Sequence, residues 1–542
     1  VEERSAVEFN LADLFECVVD CAGAQTAMVS GARRLTFDDL DQRANRLAHC
    51  LAAAGVGPGD RVGVQLTNGT EYIESMLACF KIRAVPVNIN YRYVAAELRY
   101  LYQDAGLVGL VYHRRFGPAV AGALGSMAEH RLVLEVADGS GPPADALDYE
   151  AAIGSASPTR GFAPRRADDL YCVYTGGTTG MPKGVLWRHE DIFFAAMGGG
   201  DPLSLGDFIT SPDELPGRVL HPGLTSLAVP PFMHAAGHWL AFSIFFGGGK
   251  IVTTPGGVFD PAEVWRLVEE ESVNAVVVVG DAMARPLLDL LAADPGRYDL
   301  SSLVAVGSGG AVLSPSTKAQ LAELLPGRIV ADLFGSSETG QIGGQAPPGD
   351  PFGAPRLRAD GCTCVLDDDL EPVAPGSGVV GHLARGGHVP IGYLGDPAKS
   401  EATFVEHHGR RWALPGDLAT VDEDGSIVVL GRDSQCINTG GEKVFPEEVE
   451  TVLKGHPDVA DVVVVGVPDE RFGERVVALV QPRAQRTIDS EAVRRFGREQ
   501  LSGYKVPREI LVTDEIVRSP SGKPDYPWAR ETARRAFEPP PA

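Results

Sequence analysis

Long apolar runs are missing from this chain. Of its 542 residues 44% are hydrophobic, yet its strongest stretch, Val276-Val277-Val278-Val279, falls far short of the roughly 18–20 residues that span a bilayer. Positive charge is also scarce: 48 Lys and Arg stand against 72 Asp and Glu, a net charge of −24. That balance argues against nucleic acid or an anionic membrane as partner, and leaves any bound phosphate to local lysines, arginines and backbone dipoles. Cysteine is thin, with Cys17, Cys21, Cys50, Cys79, Cys172, Cys362, Cys364 and Cys436 in no metal-ligand spacing. The helical interval of Cys17 and Cys21 and the strand-like pair Cys362 and Cys364 predict buried free thiols in a reducing compartment. No basic-then-apolar segment opens the sequence, no repeat recurs, and the expected location is the cytoplasm.

What remains is an ordinary composition with material for more than one domain. Residues 11–21 and 40–54 repeat apolar side chains at helical spacing, whereas 61–66 and 84–88 read as strands. The rhythm returns with a helix at 264–270 and strands at 273–279 and 303–306. Such alternation predicts βαβ units, hence an α/β N-terminal domain of two helix-covered, mostly parallel sheets. Around 361–430, short strands and turns such as Asp367-Asp368-Asp369 and Asp422-Glu423-Asp424-Gly425 predict a small β-barrel-like subdomain. From about 435 a separate small α+β unit follows, with Pro446 and two glutamates opening a helix over 446–453 and a strand over 461–466. Residues 201–224, rich in Pro, Gly, Ser and Asp, read as a long insertion loop.

The chemistry concentrates in Tyr174-Thr175-Gly176-Gly177-Thr178-Thr179-Gly180-Met181-Pro182-Lys183-Gly184. A strand at 169–174 runs into this loop, so backbone N–H groups, the hydroxyls of Thr175, Thr178 and Thr179, and the Lys183 ammonium are available to one anion. It is not a Walker loop, because Pro182 precedes the lysine and Gly184 follows it. Nor does Gly307-Ser308-Gly309-Gly310-Ala311-Val312 complete a dinucleotide fingerprint, since valine takes the third glycine position. The loop resembles the signature of the adenylate-forming superfamily of acyl-CoA synthetases, peptide-synthetase adenylation domains and luciferases. Five further segments fall in that family's order, so the resemblance covers about 10 to 528.

The resemblance implies a role for each segment. Gly176, Gly177, Thr178, Thr179 and Lys183 hold phosphate; Gly309, Gly310 and Ala311 lie at the adenine and along the acyl pocket. In Asp332-Leu333-Phe334-Gly335-Ser336-Ser337-Glu338-Thr339, Phe334 stacks on adenine, Ser337 contacts the α-phosphate and Glu338 holds Mg²⁺, with Asp332, Gly335 and Ser336 in the same nucleotide site. Asp417 accepts from both ribose hydroxyls, Arg432 supports the ribose or the phosphate, and Lys523 stabilises the charge of the pentacoordinate transition state. Pro230-Pro231-Phe232-Met233-His234 matches the segment bearing an aromatic or histidine gate beside the acyl site, to which Asp281, Gly307, Ser308 and Gly309 also belong. Lys523, Glu338, Thr175 and His234 form the implied catalytic set. Gly440, Gly441 and Lys443 resemble a pantetheine-lining segment for CoA, and Ser434 stands at a hinge. Domains are accordingly expected at 1–430 and 435–542, the latter mobile about 431–434. Singly, the segments have plainer readings: 307–311 a tight turn, Ser336-Ser337-Glu338 a helix cap, His234 a packed core histidine, and Asp417, Arg432 and Lys523 solvated charges.

The implied reaction has two halves. A carboxylate attacks the α-phosphorus of Mg·ATP, giving acyl-adenylate and pyrophosphate; the C-terminal domain then rotates and the CoA thiol attacks the mixed anhydride. Catalysis then rests on positioning and electrostatics with no protein nucleophile. Finer likeness in Ile437-Asn438-Thr439-Gly440-Gly441-Glu442-Lys443 and in Gly280-Asp281-Ala282-Met283-Ala284-Arg285-Pro286 is to actinobacterial fatty-acyl, steroid-carboxylate and terpenoid-acid CoA synthetases, which implies a large apolar acid. Two positions depart from the pattern: Ser434 replaces an acidic or lysine hinge, and Asn438 a frequent lysine. Loading of a carrier protein, and a catalytically silent metabolite-binding protein, are the competing readings. A homodimer is left open.

Overall fold

The computed structural model describes residues 8–142, 146–175, 181–201, 207–254, 259–344, 356–358, 361–432, 435–439, 442–469, 472–518 and 523–537. Two eight-stranded sheets dominate. One runs in the order Gly392–Tyr393, Lys183–Arg188, Leu170–Thr175, Val85–Asn88, Arg61–Gln65, Leu107–His113, Leu132–Val136, Leu147–Asp148, parallel except at its first two pairs. The other runs Gly340–Gly344, Ile329–Ser336, Ala305–Gly309, Ala275–Val278, Thr225–Ala228, Lys250–Thr253, Thr26–Ser30, Arg33–Thr36, antiparallel only at its two edges. The expected α/β architecture of helix-covered parallel sheets is therefore present, and its crossovers follow from the βαβ rhythm.

Local chemistry sets the element ends. The helix expected at 40–54 spans Phe37–Ala53, because Thr36 and Asp39 close a capping box: Thr36 Oγ1 accepts from Asp39 N and the Asp39 carboxylate from Thr36 N, each at 3.0 Å. The strand expected at 303–306 begins at Ala305, since Leu303 N bonds back to Leu300 O in a turn. Helix Leu11–Ala22 buries Leu14, Phe15, Val18 and Val19, which leaves Cys17 half-buried and Cys21 exposed off that arc. All eight cysteines are free, yet only Cys79 and Cys172 are buried, so burial fails for most of the thiols. In the insertion at 201–224, Pro212 and Leu215 of the short turn Pro212–Arg218 are buried, and the turn packs on that same helix.

The barrel-like expectation for 361–430 needs correction. The strands form an open antiparallel sheet in the order Arg356–Arg358, Ser426–Arg432, Asp417–Val421, Gly381–Gly386, Arg410–Ala413, Phe404–His407, with Thr363–Leu366 also on Gly381–Gly386. Strand Gly381–Gly386 is shared among three neighbours, so the sheet branches where a barrel would close.

A fourth sheet is built on the hairpin Val459–Asp469 and Gly473–Pro482. Its valine run is buried on both faces: Val462 and Val464 pack with Val449, Leu453 and Val493, while Val463 and Val465 pack with Tyr526, Ala529 and Ala533 of the last helix. Helix Pro446–Leu453 begins and ends where its proline and glutamates predict. Among the described residues no helix is long and apolar enough to cross a membrane.

Candidate active site

Strand Leu170–Thr175 ends at Thr175, directly across the antiparallel pair from Lys183. Gly176, Gly177, Thr178, Thr179 and Gly180 lie outside the described residues. Lys183 Nζ is paired with Asp396 Oδ2, while Asp396 Oδ1 accepts from Lys399 N at 3.0 Å and caps helix Pro397–Thr403. One carboxylate thus joins the lysine of the candidate phosphate loop to a turn 213 residues away in sequence.

The turn after Ile329–Ser336 carries Glu338. Ser336 N donates to Thr339 Oγ1 (3.0 Å) and Glu338 N to Ser336 Oγ (3.2 Å), so the serine organises a hairpin turn and caps no helix. Gly335 is required by contact: a Cβ there would lie 2.2 Å from Gly340 O. Phe334 is half-buried against the apolar core of the third sheet. Asp332 accepts from Leu313 N at 2.9 Å and pairs with Lys318, which makes it a brace between loops. The Trp187 indole N–H donates to Ser337 O at 3.0 Å, tying this turn to strand Lys183–Arg188 of the other large sheet.

Tyr393 OH donates to Glu338 Oε1 at 3.0 Å. The Lys399 ammonium sits 4.4 Å from the centre of the Tyr393 ring. Partial burial, with Lys183 and Arg432 nearby, holds Lys399 below the ordinary lysine range against the pull of Glu338.

Asp417 and Arg432 face each other across strands Asp417–Val421 and Ser426–Arg432, with Nε 3.3 Å from Oδ1. Burial pushes the Asp417 carboxyl up; Arg432 and Lys523 oppose it and Glu338 adds to it. For Arg432 burial works against the charge, but Asp417 and Glu338 outweigh it and keep the guanidinium protonated. Lys523 is an exposed residue; desolvation of its ammonium and Arg432 lower its proton affinity, against Asp417 and Glu338. Glu338, Asp417, Arg432 and Lys523 are therefore one electrostatic cluster drawn from three separate parts of the chain. Glu447 abuts it: burial, with Glu450 and Asp417 adding, pushes its carboxyl up to about 8. Gly431, at φ +137°, takes a conformation that strains any side chain, and a Cβ there would stand 2.4 Å from Glu447 Oε2 and push that carboxylate aside.

On the acyl side, Gly309 looks across at Ala236, 3.7 Å from where its Cβ would be, two residues after His234. His234 is half-exposed at the start of helix Ala235–Phe246. A packed core histidine lies four residues on at His238, bonded to Tyr171 OH and, at 2.7 Å, to Phe232 O, and held down at about 4 by burial. Ser308 Oγ accepts from Gly280 N (2.8 Å) and donates to Ala311 O (2.7 Å), closing the turn that contains Gly309 and Gly310, while Gly307 lies opposite Val277 and Ala331 in the sheet. Asp281, expected at the acyl pocket, is committed elsewhere: it accepts from Ser314 N at 2.9 Å and pairs with Arg285 at 3.1 Å. Ser434, Gly440 and Gly441 lie outside the described residues; Lys443 is exposed on strand Glu442–Val444.

Sequence reasoning missed Tyr393, Asp396, Lys399 and Glu447. The turn Gly392-Tyr393-Leu394-Gly395-Asp396-Pro397 offered a signal in its Gly and Pro punctuation around a phenol and a carboxylate. The pairing with Glu338 and Lys183 needed the sheets.

The family model described as AMP-binding enzyme matches residues 15–394, and the AMP-binding enzyme C-terminal domain matches 448–523. The chain is 46% identical over 532 residues to a 3-oxocholest-4-en-26-oate–CoA ligase of Rhodococcus rhodochrous, covering 96% of this chain and 95% of that one. It is 44% identical, with 96% of each covered, to a medium/long-chain-fatty-acid–CoA/3-oxocholest-4-en-26-oate–CoA ligase of Mycolicibacterium smegmatis. The solved anthranilate CoA ligase AuaEII, in complex with anthranoyl-AMP, superposes with a TM-score of 0.84 over 98% of both chains at 24% identity, a likeness of fold alone. With a family model spanning most of its length and relatives this similar from end to end, the chain belongs to the AMP-binding enzyme family.

Proposed function

We propose that this protein is an AMP-forming acyl-CoA ligase for large apolar carboxylic acids, steroid side-chain or long-chain. The observation that carries the reading is the electrostatic cluster of Glu338, Asp417, Arg432 and Lys523, with the Lys183–Asp396 pair beside the loop lysine. In the adenylation half, Thr175, Lys183 and the glycine-rich loop hold the triphosphate, Asp417 and Arg432 hold the ribose, and Phe334 with Gly309 to Ala311 flanks the adenine. Lys523 meets the negative charge that grows on the α-phosphate as the acid oxygen attacks and pyrophosphate leaves. Glu338 suits Mg²⁺, a hard cation that takes carboxylate oxygens, and Tyr393 fixes its Oε1. When bound, that ion neutralises phosphate charge. His234 and Gly309 border the acid. The C-terminal region, 435–542, turns about 431–434 to bring Gly440, Gly441 and Lys443 to the CoA side.

The substrate class rests on the two relatives that share over 40% of their residues with this chain from end to end. A panel of acids, assayed for acid-dependent pyrophosphate release and for CoA thioester, tests it. Steroid-carboxylate or long-chain acids are expected to give the highest kcat/KM, with thioester formed. Faster turnover of acetate, benzoate or an amino acid overturns the substrate class; adenylate without thioester, discharged onto a carrier protein, overturns CoA as acceptor; no pyrophosphate with any acid leaves a silent binding protein.

A further inference from the structure

A second cluster of ligating side chains lies away from this cleft, where two tight turns of the third sheet meet. Glu371 lies in the turn after strand Thr363–Leu366; His407 and His408 lie at the hairpin joining Phe404–His407 to Arg410–Ala413. Glu371 Oε1 is 3.3 Å from His407 Nε2 and 3.1 Å from His408 Nε2, and the two imidazole centroids are 4.0 Å apart. One ligand atom from each of the three residues falls within 4.8 Å of the other two.

Distance helps to separate two explanations. Charge-assisted N–H to carboxylate hydrogen bonds run at about 2.7–2.9 Å, and both contacts are longer. An ion bound tetrahedrally at about 2.0–2.2 Å spaces its ligand atoms about 3.3–3.5 Å apart, which one contact equals and the other nearly reaches. Both turns are also held independently of any ion. Asp367 Oδ1 accepts from Asp369 N and Glu371 N, each at 2.9 Å, which fixes the carboxylate's backbone. His408 and Gly409 take φ +51° and +71°, the left-handed pair of a two-residue hairpin that Asn-Gly or Asp-Gly favours. The side chains of His408 and Glu371 are 74% and 55% exposed, which gives an ion a path in and leaves a position for water.

We propose that Glu371, His407 and His408 form a three-ligand site for a divalent transition metal, with zinc the best fit, that fastens the 367–371 turn to the 407–410 hairpin. Two imidazole nitrogens and one carboxylate suit Zn²⁺, Co²⁺ or Ni²⁺ and disfavour Mg²⁺, so this site and the nucleotide site take different ions.

The test uses full-length protein without a polyhistidine tag, stripped with EDTA and dialysed. Zn²⁺ is titrated by calorimetry and Co²⁺ by visible absorption, with thermal melts beside them. The expected result is one ion per chain at micromolar concentration, a tetrahedral Co²⁺ spectrum and a raised Tm. Removing even an outer-shell partner of a metal costs about 10–100-fold in affinity, so Glu371→Gln and His408→Asn are each expected to lose at least about tenfold and to abolish the Tm rise. Asparagine tolerates the left-handed turn, so His408→Asn preserves the hairpin. Mg-supported pyrophosphate release stays unchanged in both variants. Equal Zn²⁺ stoichiometry and Tm response in parent and variants, an adventitious ion only, overturns the proposal.

Discussion

The Tyr393 hydroxyl donates to Glu338 Oε1 at 3.0 Å, joining an edge strand of one large sheet to the turn that ends a strand of the other. Burial and the Glu338 charge keep this phenol protonated far above neutral pH, so it serves as a donor at every working pH. Tyr393→Phe is expected to keep the ring under Lys399 and free the carboxylate to wander. A hydrogen bond to a charged group is worth about 1.5–3 kcal/mol. The Mg²⁺ concentration for half-maximal pyrophosphate release should therefore rise about tenfold, with kcat at saturating Mg²⁺ within about threefold of the parent. An unchanged Mg²⁺ dependence would remove Glu338 from the metal.

Lys523 should matter to one half-reaction only. Lys523→Ala is expected to lower acid-dependent pyrophosphate release by at least about 10²-fold, the scale for one electrostatic transition-state donor, and still convert supplied acyl-adenylate to thioester. Equal loss in both assays rules out the role given to it.

Gly441→Leu should give the opposite pattern: pyrophosphate release near normal and thioester formation blocked, if this loop lines the CoA channel. A thermal melt guards the reading, because a leucine that destabilised the domain would harm both steps. Normal thioester output from well-folded Gly441→Leu removes the loop from the CoA site.

Glu447 gives a signed pH effect. Its folded carboxyl titrates near 8, above the ordinary 4.5. Between those values the native state holds a proton that the unfolded chain has released. The associated stability is full below pH 4.5 and is lost as pH rises through 8. Glu447→Gln is expected to flatten Tm against pH across that window and to melt above the parent at pH 9. Parallel curves for the two proteins refute the assignment.

Three buried histidines act in the other direction. Burial holds His113 and His238 at about 4 and His189 at about 3, below the ordinary 6.5. Their contribution is intact above pH 6.5 and lost as pH falls toward 4, because the unfolded chain takes up protons that the native state excludes. Denaturant unfolding between pH 4 and 7 should show stability falling with acidity, and His238→Asn should remove about one proton from the linked uptake. A slope unaffected by that change argues that His238 is already charged in the fold.

How much of this was readable beforehand depended on range. Helix Pro446–Leu453 and the valine strand after it were legible, because proline at a first turn and a β-branched run act over a few residues. Thr175, Lys183, Glu338, Asp417 and Lys523 were singled out through motif order, and the structure brings the last three into one electrostatic cluster. Asp396 was not, since its meaning lies in Lys183, 213 residues away, and a sheet must form before the two meet. Asp281 looked like a pocket acid, yet Ser314 N and Arg285 use both its oxygens, a matter of tertiary hydrogen bonding that a string of letters does not carry. The open third sheet was misread as a barrel because strand count and turn spacing do not say which strand will be shared.

The Trp187 indole bonded to Ser337 O also provides a built-in optical gauge. The ring is fully buried, and its strand begins at Lys183, so one chromophore stands on a rigid bar between the loop lysine and the turn carrying Glu338. A displacement of that turn alters the indole's hydrogen bond and, with it, the colour and yield of its emission. Events at the nucleotide site can thus be timed in a stopped-flow instrument on the unlabelled protein, with Trp187→Phe, which keeps the other four tryptophans, as the reference whose signal is subtracted.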